Sequence, residues 1–313
     1  MNTNPRVLIT GGAGYLGSIL APTLLARGCA VTVVDSFLYG QTSLLDCCAD
    51  ERFTVVRGDV RDERLMRPLL QKADVVMPLA CLVGAPLCAQ KPAEARAINL
   101  DAIVWLLKNA SKSQRFISPT TNSGYGVGQA GVFCTEETPM NPVSLYGVLK
   151  VELEQALLEA GAISLRLATV CGVSPRMRLD LLVNDFTYRA VTDRFVVLFE
   201  AHFKRNYIHV RDVARAFCHA LDHFDAMQGQ PYNVGLSDAN LSKMELCLEI
   251  QKQVPEFTIM EAPVGKDPDQ RNYIVSNAKI EATGYRPQVS IQRAIAELIQ
   301  GYQIIRRNQH ANV

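Results

Sequence analysis

The chain has 313 residues, 48% of them hydrophobic and 20% charged, which is the balance of a globular protein and excludes a disordered one. Its length supports one large α/β domain or two modest ones. A net charge of +1 gives no electrostatic case for nucleic acid or an anionic membrane as partner, so any phosphate must be held by local groups.

The first strand-like run, Val7 to Ile9, enters a glycine loop at once. No room is left before it for a signal peptide, and no apolar run is long enough to span a bilayer, which predicts a cytoplasmic chain. Strands are expected over residues 6–10, 30–34, 53–57, 75–79, 115–118 and 163–170, and helices over 14–27, 64–71, 93–111 and 144–160. Several of the strands are nearly all apolar, as in a parallel sheet covered on both faces. The alternation predicts a doubly wound α/β sheet. Pro22 falls inside the first helix, where a missing N–H and a clash with the preceding turn predict a kink or an early turn.

The loop itself reads TGGAGYLG from Thr10 to Gly17. Gly11 suits the tight turn, Gly14 lets backbone approach a pyrophosphate, and Gly17 lets the helix pack on the strand. Tyr15 and Leu16 complete the loop, and the helix N-terminus offers free N–H groups to phosphate oxygens. Asp35 ends the next strand, where a carboxylate accepts hydrogen bonds from both ribose hydroxyls and repels a 2′-phosphate. Together they predict a Rossmann-type sheet that binds NAD rather than NADP.

After Val170 the rhythm breaks. Residues 171–180 are irregular and hold Gly172, Pro175, Arg176 and Arg178. Short strands are expected near 207–210 and 231–235, a helix opens at Ser242 with Glu245 closing a capping box, and a turn-rich tail after Asp267 leads to a last helix near 291–300. Residues 1–172, with returning segments near 205–236, are read as the cofactor domain, and 173–313 as a smaller C-terminal lid that binds substrate. Arg176 and Arg178 are expected as solvated surface side chains, with contact to an acidic sugar or a phosphate as the alternative. The nine cysteines form no Cys-x-x-Cys pair and read as buried, reduced thiols. The five histidines have no metal-ligand spacing, so no metal is expected, and His202 and His209 are read as loop and strand residues.

Tyr146 and Lys150, in PVSLYGVLK, are four residues apart on a predicted helix and share a face. With TGGAGYLG, DVRD at Asp59–Asp62, TTNSGYG at Thr120–Gly126, LRLATVCG at Leu165–Gly172, RNYIHVRDVA at Arg205–Ala214 and YNVG at Tyr232–Gly235, they make a series in fixed order. In this the chain resembles the extended short-chain dehydrogenase/reductase family, in particular its nucleotide-sugar epimerases and dehydratases, from Arg6 to about Pro287. The resemblance implies Thr121, Tyr146 and Lys150 as catalytic residues. It places Asp59 and Val60 beside the adenine, and Leu79, Ala80 and Cys81 along the diphosphate and ribose, with Asn99 nearby. Ser123, Asn184, Arg205 and Arg271 are implied to meet a nucleoside-diphosphate sugar. Family members dimerise through two helices each, here 93–111 and 144–160, whose apolar residues include Trp105, Leu106, Leu153 and Leu157, so a homodimer is expected.

Departures from the family pattern narrow the reaction. Pro78 stands where histidine is common, and Thr169 where many relatives have asparagine. The 4,6-dehydratases follow the catalytic threonine with Asp-Glu and the decarboxylases also place a glutamate there, whereas this chain has Asn122-Ser123. The expectation is therefore an NAD-dependent epimerase acting at C4 through a 4-keto intermediate. The alternatives are a reductase of a nucleotide-linked 4-keto sugar and, further off, a non-catalytic NAD-binding scaffold.

Overall fold

In the computed structural model, which describes residues 4–265 and 270–305, the predicted alternation folds as one sheet between two helical layers. Strands β1 (Arg6–Thr10), β2 (Ala30–Asp35), β3 (Phe53–Arg57), β4 (Val75–Pro78) and β5 (Arg115–Thr121) alternate with α1 (Gly17–Ala26), α2 (Glu63–Lys72), α3 (Ala85–Gln90), α4 (Pro92–Arg96) and α5 (Ala102–Asn109). The short β6 (Phe133–Cys134) precedes α6 (Leu145–Glu159). Strands β7 (Ile163–Leu167), β8 (Thr169–Cys171), β9 (Phe195–Leu198), β10 (Lys204–His209) and β11 (Pro231–Val234) follow, then β12 (Asn240–Ser242), β13 (Thr258–Glu261) and β14 (Ile274–Val275). Among them lie α7 (Leu182–Thr192), α8 (Val210–Asp222), α9 (Phe224–Met227), α10 (Lys243–Gln251), α11 (Ala278–Ala282) and α12 (Ile291–Gly301).

The seven-stranded sheet has the order β11-β7-β5-β4-β1-β2-β3, and all its pairings are parallel. Strand order reverses between β1 and β4, so a crevice opens at their carboxyl ends, where α/β sheets bind ligands. One face buries Leu20, Leu24 and Phe217 against β1 and β2, and the other buries Met66, Leu106 and Leu153. A third core, with Phe186, Tyr207, Leu246 and Leu298, holds the later elements together.

Several elements depart from expectation. The run 163–170 is two strands: β7 stays in the main sheet, while β8 leaves it to pair with β10, and β12 pairs with β10 in the same small sheet. The helix expected over 93–111 is broken by a π-helical turn, Ala97–Asp101. Pro22 neither ends α1 nor replaces a buried side chain, because it sits on the exposed face of a helix that runs through it. The capping box forms as expected, with Ser242 Oγ accepting from Glu245 N–H at 3.1 Å and Glu245 accepting from Ser242 N–H at 2.6 Å. The turn-rich tail expected after Asp267 begins partly outside the described residues. Leu106, Leu153 and Leu157 are buried within this chain, so of the four apolar residues behind the expected dimer only Trp105 stays partly exposed. Seven of the nine cysteines are buried, Cys81 is partly so and Cys48 is exposed. No helix among the described residues is long and apolar enough to cross a membrane.

His209 ends β10 and caps α8, accepting from Arg211 N–H on Nδ1 at 3.1 Å. Its Nε2 lies 3.3 Å from the Glu297 carboxylate, and the ring is fully buried. Burial, aided by Arg211, pushes its pKa down to about 4. An unfolded histidine protonates near 6.5, so the unfolded chain takes up the proton first as pH falls. Stability should therefore be undiminished above about pH 6.5 and fall by roughly 2–3 kcal/mol between there and pH 4. Urea unfolding at stepped pH checks this, and His209→Gln should flatten the slope in that window.

Candidate active site

The crevice is a cavity of about 460 Å³ that runs from Asp35 to Tyr146. Gly11 has φ +68°, and a Cβ there would meet Ala80 backbone at 2.6 Å, so only glycine lets the loop lie against the end of β4. A Cβ on Gly17 would meet the Gly12 backbone at 2.5 Å, which locks α1 onto the loop. At Gly14 the nearest neighbour is the Gly11 carbonyl oxygen at 3.2 Å, and its open side faces the cavity. The N-terminus of α1 has no side-chain cap; Ser18 and Ile19 N–H bond to the Gly14 and Leu16 carbonyls at 2.9 and 3.0 Å, and Tyr15, Leu16 and Gly17 line the cavity at the helix start, where the dipole favours an anion.

Asp35 is 7% exposed and lines the cavity. Its Oδ2 accepts from Ala13 N–H at 2.9 Å, and its Oδ1 accepts from Phe37 N–H at 2.8 Å and Gln41 Nε2 at 3.3 Å. The carboxylate thus ties the glycine loop to the loop after β2. A carboxylate has about four acceptor sites and three are used, so one remains for a ribose hydroxyl, and the long Gln41 bond is the one a second hydroxyl would displace. Asp59 and Val60 line the same end, with Asp59 held below the ordinary carboxylate range by its hydrogen bonds from Arg61. These features fit the adenosine and diphosphate of a dinucleotide.

At the other end stand Thr121, Ser123, Tyr146 and Lys150, beside Leu79, Ala80 and Cys81. Ser144 caps α6 through Gly147 N–H at 3.2 Å and so starts the helix that carries Tyr146 and Lys150. Lys150 Nζ donates to the Pro119 carbonyl at 3.2 Å and lies beside the Cys81 thiol. Burial pushes the Tyr146 phenol well above its ordinary range, as does Cys81, while Arg178 and Arg271 favour its ionised form. Thr121 Oγ1 donates to Ser123 Oγ at 2.9 Å, and Arg271 Nη1 donates to that same oxygen. A serine oxygen has two acceptor sites, so Ser123 keeps its own proton for a ligand.

Three expected contact residues do not line the cavity. Asn99, fully buried in the π-helical turn, accepts from Leu82 N–H at 2.8 Å and donates to Leu82 O at 2.9 Å, so it shapes the loop after β4 from behind. Arg205 lies under Tyr273, 5.7 Å from the ring centre, and donates to the Lys204 carbonyl at 2.9 Å. Asn184 accepts from Gly172 N–H at 3.0 Å and donates to the Arg178 carbonyl at 2.8 Å, closing residues 172–178 into a loop.

That loop corrects the expectation of solvated arginines. Arg176 is 5% exposed, and both it and Arg178 line the cavity. Asp180 grips Arg178 with a fork, Nε to Oδ1 at 3.2 Å and Nη2 to Oδ2 at 2.6 Å. Sequence alone carries no sign of this, because the Asn184 clamp joins residues from two separate elements. Thr169 and Tyr273 also line the cavity; Tyr273, whose role the sequence does not announce, shares the β14 end with Arg271.

The chain matches the NAD dependent epimerase/dehydratase family over residues 7–235 and belongs to it. It is 29% identical to a dTDP-glucose 4,6-dehydratase of Actinoplanes sp., covering 95% of this chain and 97% of that one. It is 25% identical to UDP-glucuronic acid decarboxylase 1 of Arabidopsis thaliana, covering 95% of this chain and 69% of that one. The crystal structure of Thermus thermophilus UDP-glucose 4-epimerase in complex with NAD superposes with a TM-score of 0.82 at 25% identity, covering 96% and 99% of the two chains. The extended short-chain dehydrogenase/reductase resemblance and the Rossmann-type sheet both stand, and NAD is the cofactor.

On the expectation that Asp35 meets the adenosine ribose, calorimetric titration should find NAD bound at least roughly tenfold more tightly than NADP, the worth of a hydrogen bond to a charged group. Asp35→Asn keeps an acceptor for Ala13 N–H and should narrow that ratio. Equal affinities in the unaltered chain would remove the ribose assignment.

Proposed function

We propose that the protein is a 4-epimerase of a nucleoside-diphosphate sugar, with Tyr146 as the proton acceptor. One observation carries this reading. Among the described residues the carboxylates lining the cavity are Asp35, Asp59 and Glu94. Asp35 is bonded to the glycine loop, Asp59 to Arg61, and Glu94 faces the same arginine. Among the described residues the Tyr146 end has hydroxyls and cations but no lining carboxylate. Elimination of water or loss of a carboxyl group in this family draws on acids next to the catalytic threonine. Here Asn122 is turned away from the cavity, and Ser123 is tied to Thr121 and Arg271.

Epimerisation needs only what is present. Bound NAD supplies reversible hydride transfer at the carbinol carbon. Tyr146 takes the proton of the sugar 4-hydroxyl and later returns it, its phenolate favoured by Arg178 and Arg271. Ser123, its oxygen filled by Thr121 and Arg271, points its own proton at the reacting oxygen. Arg271, which lines the cavity, is assigned to the substrate diphosphate. Return of the hydride to the other face requires the ketone to turn in the cavity before reduction.

The outward faces of α5 and α6 keep Val104 and Trp105 partly exposed and Val148 37% exposed, and we propose them as the contact of a homodimer. A monomeric mass by light scattering at micromolar concentration would remove that assignment.

With a matching substrate the enzyme should interconvert two C4 epimers without net consumption of NAD or NADH. Tyr146→Phe should lower turnover by about 100- to 10,000-fold and leave sugar-nucleotide binding nearly intact. Ser123→Ala and Thr121→Val should each cost less. A wild-type rate in Tyr146→Phe would overturn the base assignment. Stoichiometric oxidation of NADH with a single alcohol product would replace the epimerase with the reductase.

A further inference from the structure

Residues 172–178 leave the end of β8 and run along the cavity, not away from it. Tyr15 Oη donates to the Gly172 carbonyl at 2.7 Å. Two residues on, Ser174 Oγ donates to the Tyr15 carbonyl at 2.7 Å and meets Ser18 Oγ at 2.8 Å. The segment is therefore stitched to the glycine loop and the first turn of α1. It then carries Arg176 to the opposite wall, where the guanidinium lies 4.5 Å from the ring centre of Tyr39. Tyr39 belongs to the loop after β2, four residues beyond Asp35, and both line the cavity. That loop is itself anchored on Asp35 through Phe37 N–H and Gln41 Nε2. Asn184 holds both ends of the segment, Gly172 N–H and the Arg178 carbonyl, so the arm is pre-shaped.

A ligand reaching from Asp35 past Gly14 toward Tyr146 would meet this arm at Arg176 and Arg178, which line the cavity. We propose that residues 172–178 form a clasp over the adenosine and diphosphate half of the bound dinucleotide, with Arg176 and Tyr39 as its catch. The inference rests on the reading of Asp35 and the glycine loop as the dinucleotide site. It assigns cofactor retention to two side chains that touch each other across the cleft. Arg176 is 5% exposed and its guanidinium charge is disfavoured by burial, so its stacking on Tyr39 and the negative charge of a bound dinucleotide would both favour it in that position. Tyr39 is 42% exposed, so its ring contributes to the catch and little to the core.

The test follows the fluorescence of NADH bound to the full chain as it is chased by excess NAD. Tyr39→Ala and Arg176→Ala should each speed release by roughly two- to fivefold, the worth of a partly exposed cation–π contact. The double variant should release no faster than the faster single, because both changes break the same contact. Tyr39→Phe keeps the ring and should release at the wild-type rate. Thermal unfolding of each variant, with Tyr39→Phe as reference, separates loss of the catch from loss of the fold. Unchanged release in Tyr39→Ala overturns the clasp, and so do additive effects in the double variant. A fast Arg176→Ala beside an unchanged Tyr39→Ala also overturns it, because the arginine would then act on the ligand alone. Failure of the wild-type chain to bind NADH would overturn the dinucleotide site itself, a result distinct from bound NADH with unaltered release.

Discussion

The reacting end of the cavity depends on one buried ion pair. Arg166 on β7 and Glu154 on α6 are each 5% exposed and meet through Nη2 and Oε1 at 2.7 Å, with Nε bonded to both carboxylate oxygens at 3.0 Å. Thr120 and Ser164 hydroxyls donate to Glu154 Oε2 at 3.0 and 2.7 Å. Arg166 Nη1 donates to Tyr125 Oη at 2.9 Å and to the Glu136 carbonyl at 3.1 Å, and Tyr125 donates to Asn233 Oδ1 at 2.7 Å. Glu154 lies one helical turn beyond Lys150, itself one turn beyond Tyr146, and Thr120 precedes Thr121. The pair thus sets the register of α6 on β5, and with it the spacing of the proposed catalytic groups. Desolvating two charges is expensive, and the added hydrogen bonds offset that cost; removing one partner alone typically costs about 3–5 kcal/mol. The network is better understood as fixing one arrangement than as adding stability.

What could be read from the sequence and what could not divide along the range of the interactions. The glycine loop, Asp35 and the Tyr146–Lys150 spacing are local patterns whose meaning is set by a strand, a turn or a helical repeat, and each lies where expected. The capping box at Ser242 is equally local. Asn99 and Asn184 were expected at the ligand and instead hold loops, because one asparagine can bond a backbone N–H and a backbone C=O together. Which backbone it meets is decided by packing between elements far apart in the chain. The break at Ala168 is of the same kind. Its N–H donates to Val234 O at 2.9 Å, the last link to the main sheet before β8 turns to β10. The periodicity of 163–170 is continuous across that point.

The two arginines make the same distinction in energetic terms. A PRMR run in an irregular stretch reads as solvated surface, since arginine is seldom buried unpaired. Burial here is made tolerable by Asp180, whose carboxyl burial pushes up but Arg178 brings down below its ordinary range, and by the Tyr39 ring under Arg176. Neither partner is identifiable without the loop closure that Asn184 imposes.

The outcome is a cavity whose carboxylates gather at one end although the chain as a whole is close to neutral. Asp35, Asp59 and Glu94 line the end assigned to the adenosine beside Arg61 and Arg176, whereas among the described residues the charged groups lining the end of Tyr146 are Lys150, Arg178 and Arg271. Three cations in a partly desolvated space repel one another; Asp180 relieves Arg178, and an anionic ligand or an ionised phenol relieves the rest. On the proposed reading both occur in one cycle. The diphosphate of the substrate satisfies the arginines at binding, and the Tyr146 phenolate is favoured by whatever positive field remains. Each negative charge added to the pocket weakens the case for the next. A substrate whose sugar carries no charge of its own would leave more of that field for the tyrosine. On that reading the cations proposed to meet the nucleotide would also limit how acidic a sugar the proposed base can tolerate, which would couple substrate choice to the ionisation of Tyr146.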